Sequence, residues 1–191
     1  MDYDAPASDG DRLAITVAIT VAIATHATPI GPLWSAWTER GLYSLNWNEP
    51  APLAVEAASS VPRSTRLQEL EQQLQLYFRD GSVSFDNVQV DDVGWTPFTA
   101  NVYRCCRGIV AGTTVTYKTL AAMAGNDQAS RAVGAAMSRN RILLVIPCHR
   151  VLSGQGKLRG FSARGGLTTK RQLLDLERDG HWPTDLFADE E

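Results

Sequence analysis

The chain has 191 residues, 44% hydrophobic and 20% charged, with three cysteines and a formal net charge of −3. This is ordinary globular composition for one domain or two small ones, which excludes a collagen-like repeat, a disordered tail and a disulfide-stapled miniprotein. The longest apolar run, Leu13 to Ala24, is about a dozen residues, short of the ~20 a membrane span needs. Asp2, Asp4, Asp9 and Asp11 precede it where a signal peptide would carry basic residues. The expectation is an intracellular protein with reduced thiols.

Residues 1–12 read as a frayed acidic terminus. Alternation of β-branched residues from Ile15 to Val21 predicts a strand, broken at Thr28-Pro29-Ile30-Gly31-Pro32. Leu33 to Trp37 and Leu42 to Trp47, joined by Glu39-Arg40-Gly41, complete a small antiparallel meander. Pro50 to Pro62 is a loop. Ser64 or Thr65 can cap a helix over Arg66 to Phe78, with Leu67, Leu70, Leu74 and Tyr77 on one face, stopped by Asp80-Gly81. Phe85, Val88 and Val90 suggest one more extended piece.

Composition shifts at Gly94-Trp95-Thr96-Pro97, where Thr96 can cap a helix with Pro97 at its first position. Phe98, Val102, Cys106, Ile109 and Val110 carry the helical spacing to Ala111-Gly112. Thr113 to Thr116 is a β-prone connector. Tyr117 to Ala124 predicts a second helix closed by Gly125, and Asn126 a cap for a third running to Ser138. Two short helices joined by a glycine turn read as a helix-turn-helix. Ile142 to Ile146, wholly apolar, reads as a buried strand, Val151 to Leu158 as a tight hairpin or wing, and Leu167 to Glu177 as a closing amphipathic helix. The predicted division is an acidic terminus (1–12), an N-terminal α+β unit with a small antiparallel sheet and helix (13–92), a helix-turn-helix or winged-helix-like unit (93–178) and an acidic tail (179–191).

Charge follows the same division. Residues 1–94 carry 5 Lys/Arg against 13 Asp/Glu, a net −8, whereas residues 95–178 carry 13 against 3, a net +10. A basic block between acidic flanks is the footprint of a polyanion-binding unit, although acidic protein partners also select such surfaces.

Pro147-Cys148-His149-Arg150 carries the chemistry. A thiolate is the reactive form of cysteine, and nearby cations favour it. Successive residues of extended chain point to opposite faces, so a water between His149 and the sulfur is one arrangement. A buried structural cysteine beside a surface histidine is the other reading of these four residues.

Pro147-Cys148-His149-Arg150-Val151 resembles the active-site signature of the O6-alkylguanine-DNA alkyltransferases, the methylated-DNA–protein-cysteine methyltransferases. Thr116-Tyr117, Ala124-Gly125-Asn126, the run Ala129 to Met137 and Arg139-Asn140 are similar to that family's helix-turn-helix and its asparagine hinge. Gly165-Gly166-Leu167, Lys170 and Leu173-Leu174 through Glu177 are similar to its closing helix. Upstream, Thr96-Pro97-Phe98 and Thr28 to Leu33 with Glu39-Arg40-Gly41-Leu42 also match, so the resemblance spans about residues 13–178.

The resemblance implies a ribonuclease-H-like N-terminal domain and single-turnover transfer of an alkyl group from O6 of an everted guanine to Cys148. Extrusion is needed because stacking and pairing hem in the O6 substituent. By the same resemblance His149 is the base, Glu177 orients it and Tyr117 protonates the leaving purine at N3. Arg131 fills the gap in the base stack. Ala129, Ser130, Gly134 and Ala135 let their helix approach the minor groove, with Asn140 and Arg150 also on the DNA side. Met137, Leu143, Val145, Val151, Phe161 and Ser162 form the pocket. Lys118, Arg139, Arg141, Lys157, Arg159 and Lys170 are phosphate contacts. No cofactor and no metal are implied. The partner is double-stranded DNA with O6-alkylguanine, bound by a monomer in the cytoplasm of a prokaryote or the nucleus of a eukaryote.

Three departures stand out. Arg141 and Leu143 occupy positions that are often proline, and Phe161 one that is often tyrosine. A non-catalytic lesion-binding relative is the alternative reading, but such proteins replace the cysteine. A plain helix-turn-helix regulator leaves Cys148 and Tyr117 unexplained. A cysteine hydrolase has only His26 and His181 as remote partners.

Overall fold

In the computed structural model, the described residues are 22–48 and 65–182, except 155, 157 and 159. Strand β1 (Ala22–His26) pairs antiparallel with β2 (Leu33–Thr38), which pairs antiparallel with β3 (Gly41–Asn46). The expected strand over Ile15 to Val21, the loop Pro50 to Pro62 and Ser64 lie outside the described residues. β2 is the central strand, and its Leu33 and Trp37 are buried with Leu42 and Leu45 of β3. Helix α1 (Thr65–Asp80) turns Leu70, Leu74 and Tyr77 inward, as the spacing predicts, and ends at Gly81 in the left-handed region. The extended piece around Val90 is a single bridge to Leu42.

Helix α2 (Pro97–Arg107) begins at the predicted cap, where Thr96 Oγ1 accepts from Thr99 N at 3.2 Å. It stops at Gly108, before the Ile109 and Val110 assigned to it from spacing; Ile109 turns into the core and Val110 faces out. Strand β4 (Val115–Thr116) leads into α3 (Tyr117–Met123), which closes at Gly125 as predicted. Helix α4 (Ser130–Ser138) starts three residues later than the Asn126 cap implied. Asn126 spends its side chain on Gln128 N and its carbonyl on Ala129 N, forming the turn before α4.

The apolar run Ile142 to Ile146 is buried but is not a strand. Only Ile142 bridges Leu45 of β3; a turn with Leu144 at φ 67° follows. Asn140 holds it, donating to Ile146 O at 2.8 Å and accepting from Ile142 N at 3.0 Å. Apolarity reports burial, not conformation, and a side-chain brace replaces the missing ladder. Cys148–Arg150 form a 3₁₀ turn, and β5 (Val151–Leu152) pairs parallel with β4. No antiparallel return strand follows β5 among the described residues, so the expected hairpin is a parallel crossover pairing. Helix α5 (Gly166–Asp179) closes the chain, and Trp182 beyond it packs edge-on against Phe78 of α1 at 5.7 Å.

One continuous apolar core joins the two halves, from Leu33 and Leu45 through Tyr77, Cys106 and Leu120 to Leu173 and Leu176. Backbone bonds cross it too, between Leu45 and residues Arg141 and Leu143, both at 2.8 Å. No helix among the described residues is long and apolar enough to cross a membrane.

Candidate active site

Cys148 is 6% exposed and lies on the wall of a cavity of about 450 Å³. Tyr117 of α3, Gly134, Met137 and Ser138 of α4, and Gly160, Phe161 and Ser162 of the loop before α5 line the rest. Behind the cysteine, the His149 side chain is buried and its Nε2 lies 2.7 Å from Glu177 Oε1. Arg150 donates to both Glu177 oxygens, through Nη2 at 2.9 Å and Nε at 3.0 Å, and also to Ile109 O. Gly112 N donates to Glu177 Oε2 at 3.2 Å, and Tyr77 Oη donates to Oε1 at 2.7 Å.

Electrostatics assigns the protons. Burial opposes ionisation of Glu177, but His149 and Arg150 outweigh it and hold the carboxyl at about 2. An ionised carboxylate only accepts, so His149 Nε2 carries a hydrogen and Nδ1 is the basic nitrogen of the neutral ring. Nδ1 is buried with no hydrogen-bond partner. Burial pulls His149 below its ordinary value against the pull of Glu177. Burial also pushes the Cys148 thiol up, partly offset by the Asn140 amide and the Lys170 ammonium. The resting pair is thus a thiol beside a neutral imidazole. Such a pair makes a thiolate by proton transfer to an imidazole that Glu177 supports once charged. Burial likewise raises the Tyr117 hydroxyl, leaving it a protonated donor at neutral pH.

Several expected site residues sit elsewhere. Arg150 is 5% exposed with its guanidinium spent on Glu177 and Ile109, so it faces the relay rather than DNA. Asn140 is buried in the turn it braces, with its amide fully used, and is not a DNA contact either. Leu143, Val145 and Val151 are buried but do not line the Cys148 cavity. Val145 instead lines a separate cleft of about 330 Å³ behind the relay, with Pro147 and Arg150. The carbonyl of Val151 accepts from Lys170 Nζ at 2.7 Å. Lys170 is fully buried, not a phosphate contact.

Arg141 is not a phosphate contact either. Nε donates to Tyr43 O at 2.7 Å, Nη2 to Asp91 O and Val93 O at 2.9 and 3.0 Å, and the guanidinium lies 4.1 Å from the Tyr43 ring centroid. It ties the N-terminal half to the turn before the cysteine. Arg141→Ala should therefore cost about 2–3 kcal/mol in chemical denaturation, since three carbonyls lose a charged donor. The salt slope of DNA binding should not change. An altered slope at unaltered stability would return Arg141 to the phosphate-contact role. Arg131, Lys118 and Arg139 are exposed as expected; Lys157 and Arg159 lie outside the described residues.

Sequence reasoning missed Tyr77, Arg150 and Gly112 as partners of Glu177. Tyr77 carried only an apolar-face signal, 100 residues from the carboxylate it meets.

Comparison with known proteins places these features in a family. Residues 97–179 match the model described as 6-O-methylguanine DNA methyltransferase, DNA binding domain, and residues 21–91 its ribonuclease-like domain. A methylated-DNA–protein-cysteine methyltransferase of Methanosarcina acetivorans is 38% identical over 154 residues, covering 81% of this chain and 96% of that protein. A Shigella flexneri protein of the same name is 34% identical, covering 79% and 92%. Among solved structures, Mycobacterium tuberculosis OGT in complex with DNA superimposes with a TM-score of 0.73 at 33% identity, covering 89% of this chain and all of that one. The expected two-part α+β architecture, ribonuclease-like first and DNA-binding second, agrees with both family models and that structure.

Proposed function

Because the chain belongs to the 6-O-methylguanine DNA methyltransferase family, we propose that it repairs DNA by direct, irreversible transfer of an alkyl group from O6 of guanine to Cys148. The observation that carries this reading is Cys148 on the wall of the cavity between α3, α4 and the 160–162 loop, backed by His149 and Glu177. The cysteine that the non-catalytic alternative lacks is present, and it is built into that relay.

In this reading His149 Nδ1 takes the thiol proton, directly or through one water. The sulfur attacks the alkyl carbon, the S–C bond forms as the C–O6 bond breaks, and the electron pair returns to the purine. Tyr117 donates a proton to N3 of the leaving base. Phe161 stacks on the base, Ser162 offers O6 a hydrogen bond, and Met137 packs beside both. The product is a thioether, which no group in the site can cleave, so each molecule acts once. Conversion of a methylated duplex should stop at one lesion per protein molecule; continued turnover would contradict the reading.

The partner is duplex DNA carrying O6-alkylguanine, bound by one copy of the chain, since every proposed site residue comes from it. The DNA-handling unit we propose is residues 93–178, with α4 facing the duplex. Gly134 costs an exposed helix about 1 kcal/mol relative to Ala, yet a Cβ there would meet nothing within 4 Å inside the protein. Its purpose lies outside the chain, in close approach of Ala129, Ser130 and Ala135 to the sugar-phosphate backbone. Minor-groove readout is nearly degenerate, which suits a scanner that must ignore sequence.

Arg131, exposed on the first turn of α4, fills the gap left by the everted base. Extrusion costs a few kcal/mol. Arg131→Ala should therefore slow transfer from duplex roughly ten- to hundredfold while leaving reaction with free O6-benzylguanine near the parent rate. Equal losses on both substrates would remove the finger role.

A further inference from the structure

Glu177 Oε1 accepts from three residues where its charge needs fewer. Arg150 already neutralises the carboxylate and His149 already bonds it. The third, the Tyr77 hydroxyl at 2.7 Å, comes from α1 in the other half of the protein. It also lies 3.5 Å from His149 Nε2. Both groups donate to the same oxygen, so that distance is proximity rather than a bond between them.

The approach is built, not incidental. Tyr77 is fully buried, its ring held edge-on by Phe78 at 5.3 Å and tilted against Phe85 at 5.6 Å. Four residues on, Gly81 ends α1 at φ 71°, and a Cβ there would sit 2.6 Å from Leu176 O and 2.9 Å from Glu177 Cα. Only glycine lets the end of α1 come this close to α5, and that closeness brings Tyr77 to the carboxylate.

We propose that Tyr77 is a positioning residue of the alkyl-transfer site, its hydroxyl fixing Glu177 Oε1 and setting how strongly that carboxylate supports a charged His149. This rests on the alkyl-transfer reading above. A donor on Oε1 shares the electron density that His149 Nε2–H draws on, so the carboxylate is a weaker partner for the imidazolium. Removing the hydroxyl makes the carboxylate more basic and His149 easier to protonate. The N-terminal half thereby tunes the chemistry as well as scaffolding it. The titratable groups facing the pair are Lys170 of α5, Arg150 and Cys148 of the 3₁₀ turn and, near the thiol, Cys106 of α2.

The test is Tyr77→Phe in the full chain, which keeps the ring and removes only the oxygen. Single-turnover rates with free O6-benzylguanine are measured across pH, and the His149 ring is titrated by NMR. The acid limb and the His149 titration should both move up by about one pH unit, so the rate on that limb falls about tenfold. Affinity for unmodified duplex should not change. Leu70→Ala, which opens the α1 core about two turns before Tyr77 and touches neither its ring packing nor the oxygen, should lower stability and leave the limb in place. A Tyr77→Phe profile superimposable on the parent's, whatever its melting temperature, overturns the inference. So does an equal shift from Leu70→Ala. If the parent chain transfers nothing, the alkyl-transfer reading fails, and the NMR titration still decides whether Tyr77 tunes His149.

Discussion

Cys148→Ala should bind a methylated duplex about as tightly as the parent chain and remove no methyl group from it. In the proposed reading, binding rests on exposed cations and on α4, none of which involves the sulfur. In the proposed reading the chemistry rests on the sulfur alone, since no other thiol lines the described cavity. Cys106 is fully buried and absent from the wall, and burial holds its thiol well above the ordinary range. Cys105 packs on the other side of α2, donating to Met123 O at 3.3 Å. The alanine variant should thus trap the lesion complex. Filter binding or anisotropy gives the affinity, and digestion and chromatography of the DNA give the surviving O6-methylguanine. Residual demethylation by this variant would move the nucleophile elsewhere.

Glu177→Gln has the second largest expected effect, on rate and stability together. An amide nitrogen cannot accept from His149, Arg150, Tyr77 or Gly112, and Arg150 is left as an uncompensated buried charge. Breaking such a pair costs about 3–5 kcal/mol. Loss of a supported base costs on the order of 10²–10⁴ in rate. The pH dependence has a definite sign. His149 and Glu177 both titrate lower folded than unfolded, so as pH falls the unfolded chain takes up protons first and stability is lost. The His149 contribution begins to go as pH drops below its ordinary 6.5. That of Glu177 is complete above 4.5 and goes as pH falls toward about 2. Urea midpoints between neutral pH and acid should show both losses in the parent and lack the lower one in Glu177→Gln. An unaltered lower limb would mean that another carboxylate carries the acid sensitivity.

Local chemistry made the elements legible. Thr96-Pro97, Gly81, Gly125 and the Glu39-Arg40-Gly41 turn between β2 and β3 each act within a few residues, and each appears where the sequence places it. The cysteine signature and the helix-turn-helix were legible for the same reason. Decisions made by distant residues were hidden. The run at 142–146 looked like a strand because burial and strand pairing leave the same apolar trace; Asn140 decided the difference. Arg141, Arg150 and Lys170 counted toward the basic block, yet each points inward to carbonyls or a carboxylate. Charge in a sequence carries no direction. Tyr77 looked like packing because its hydroxyl partner lies 100 residues away.

The central claim is that one sulfur receives the alkyl carbon and keeps it. Incubating the full chain with an O6-methylguanine duplex, then mapping its peptides by mass spectrometry, tests this directly. One methyl group is expected, on the peptide that holds Cys148, in an amount equal to the lesion lost. Loss of the lesion with Cys148 unmodified, or with the methyl on Cys105 or Cys106, would contradict it.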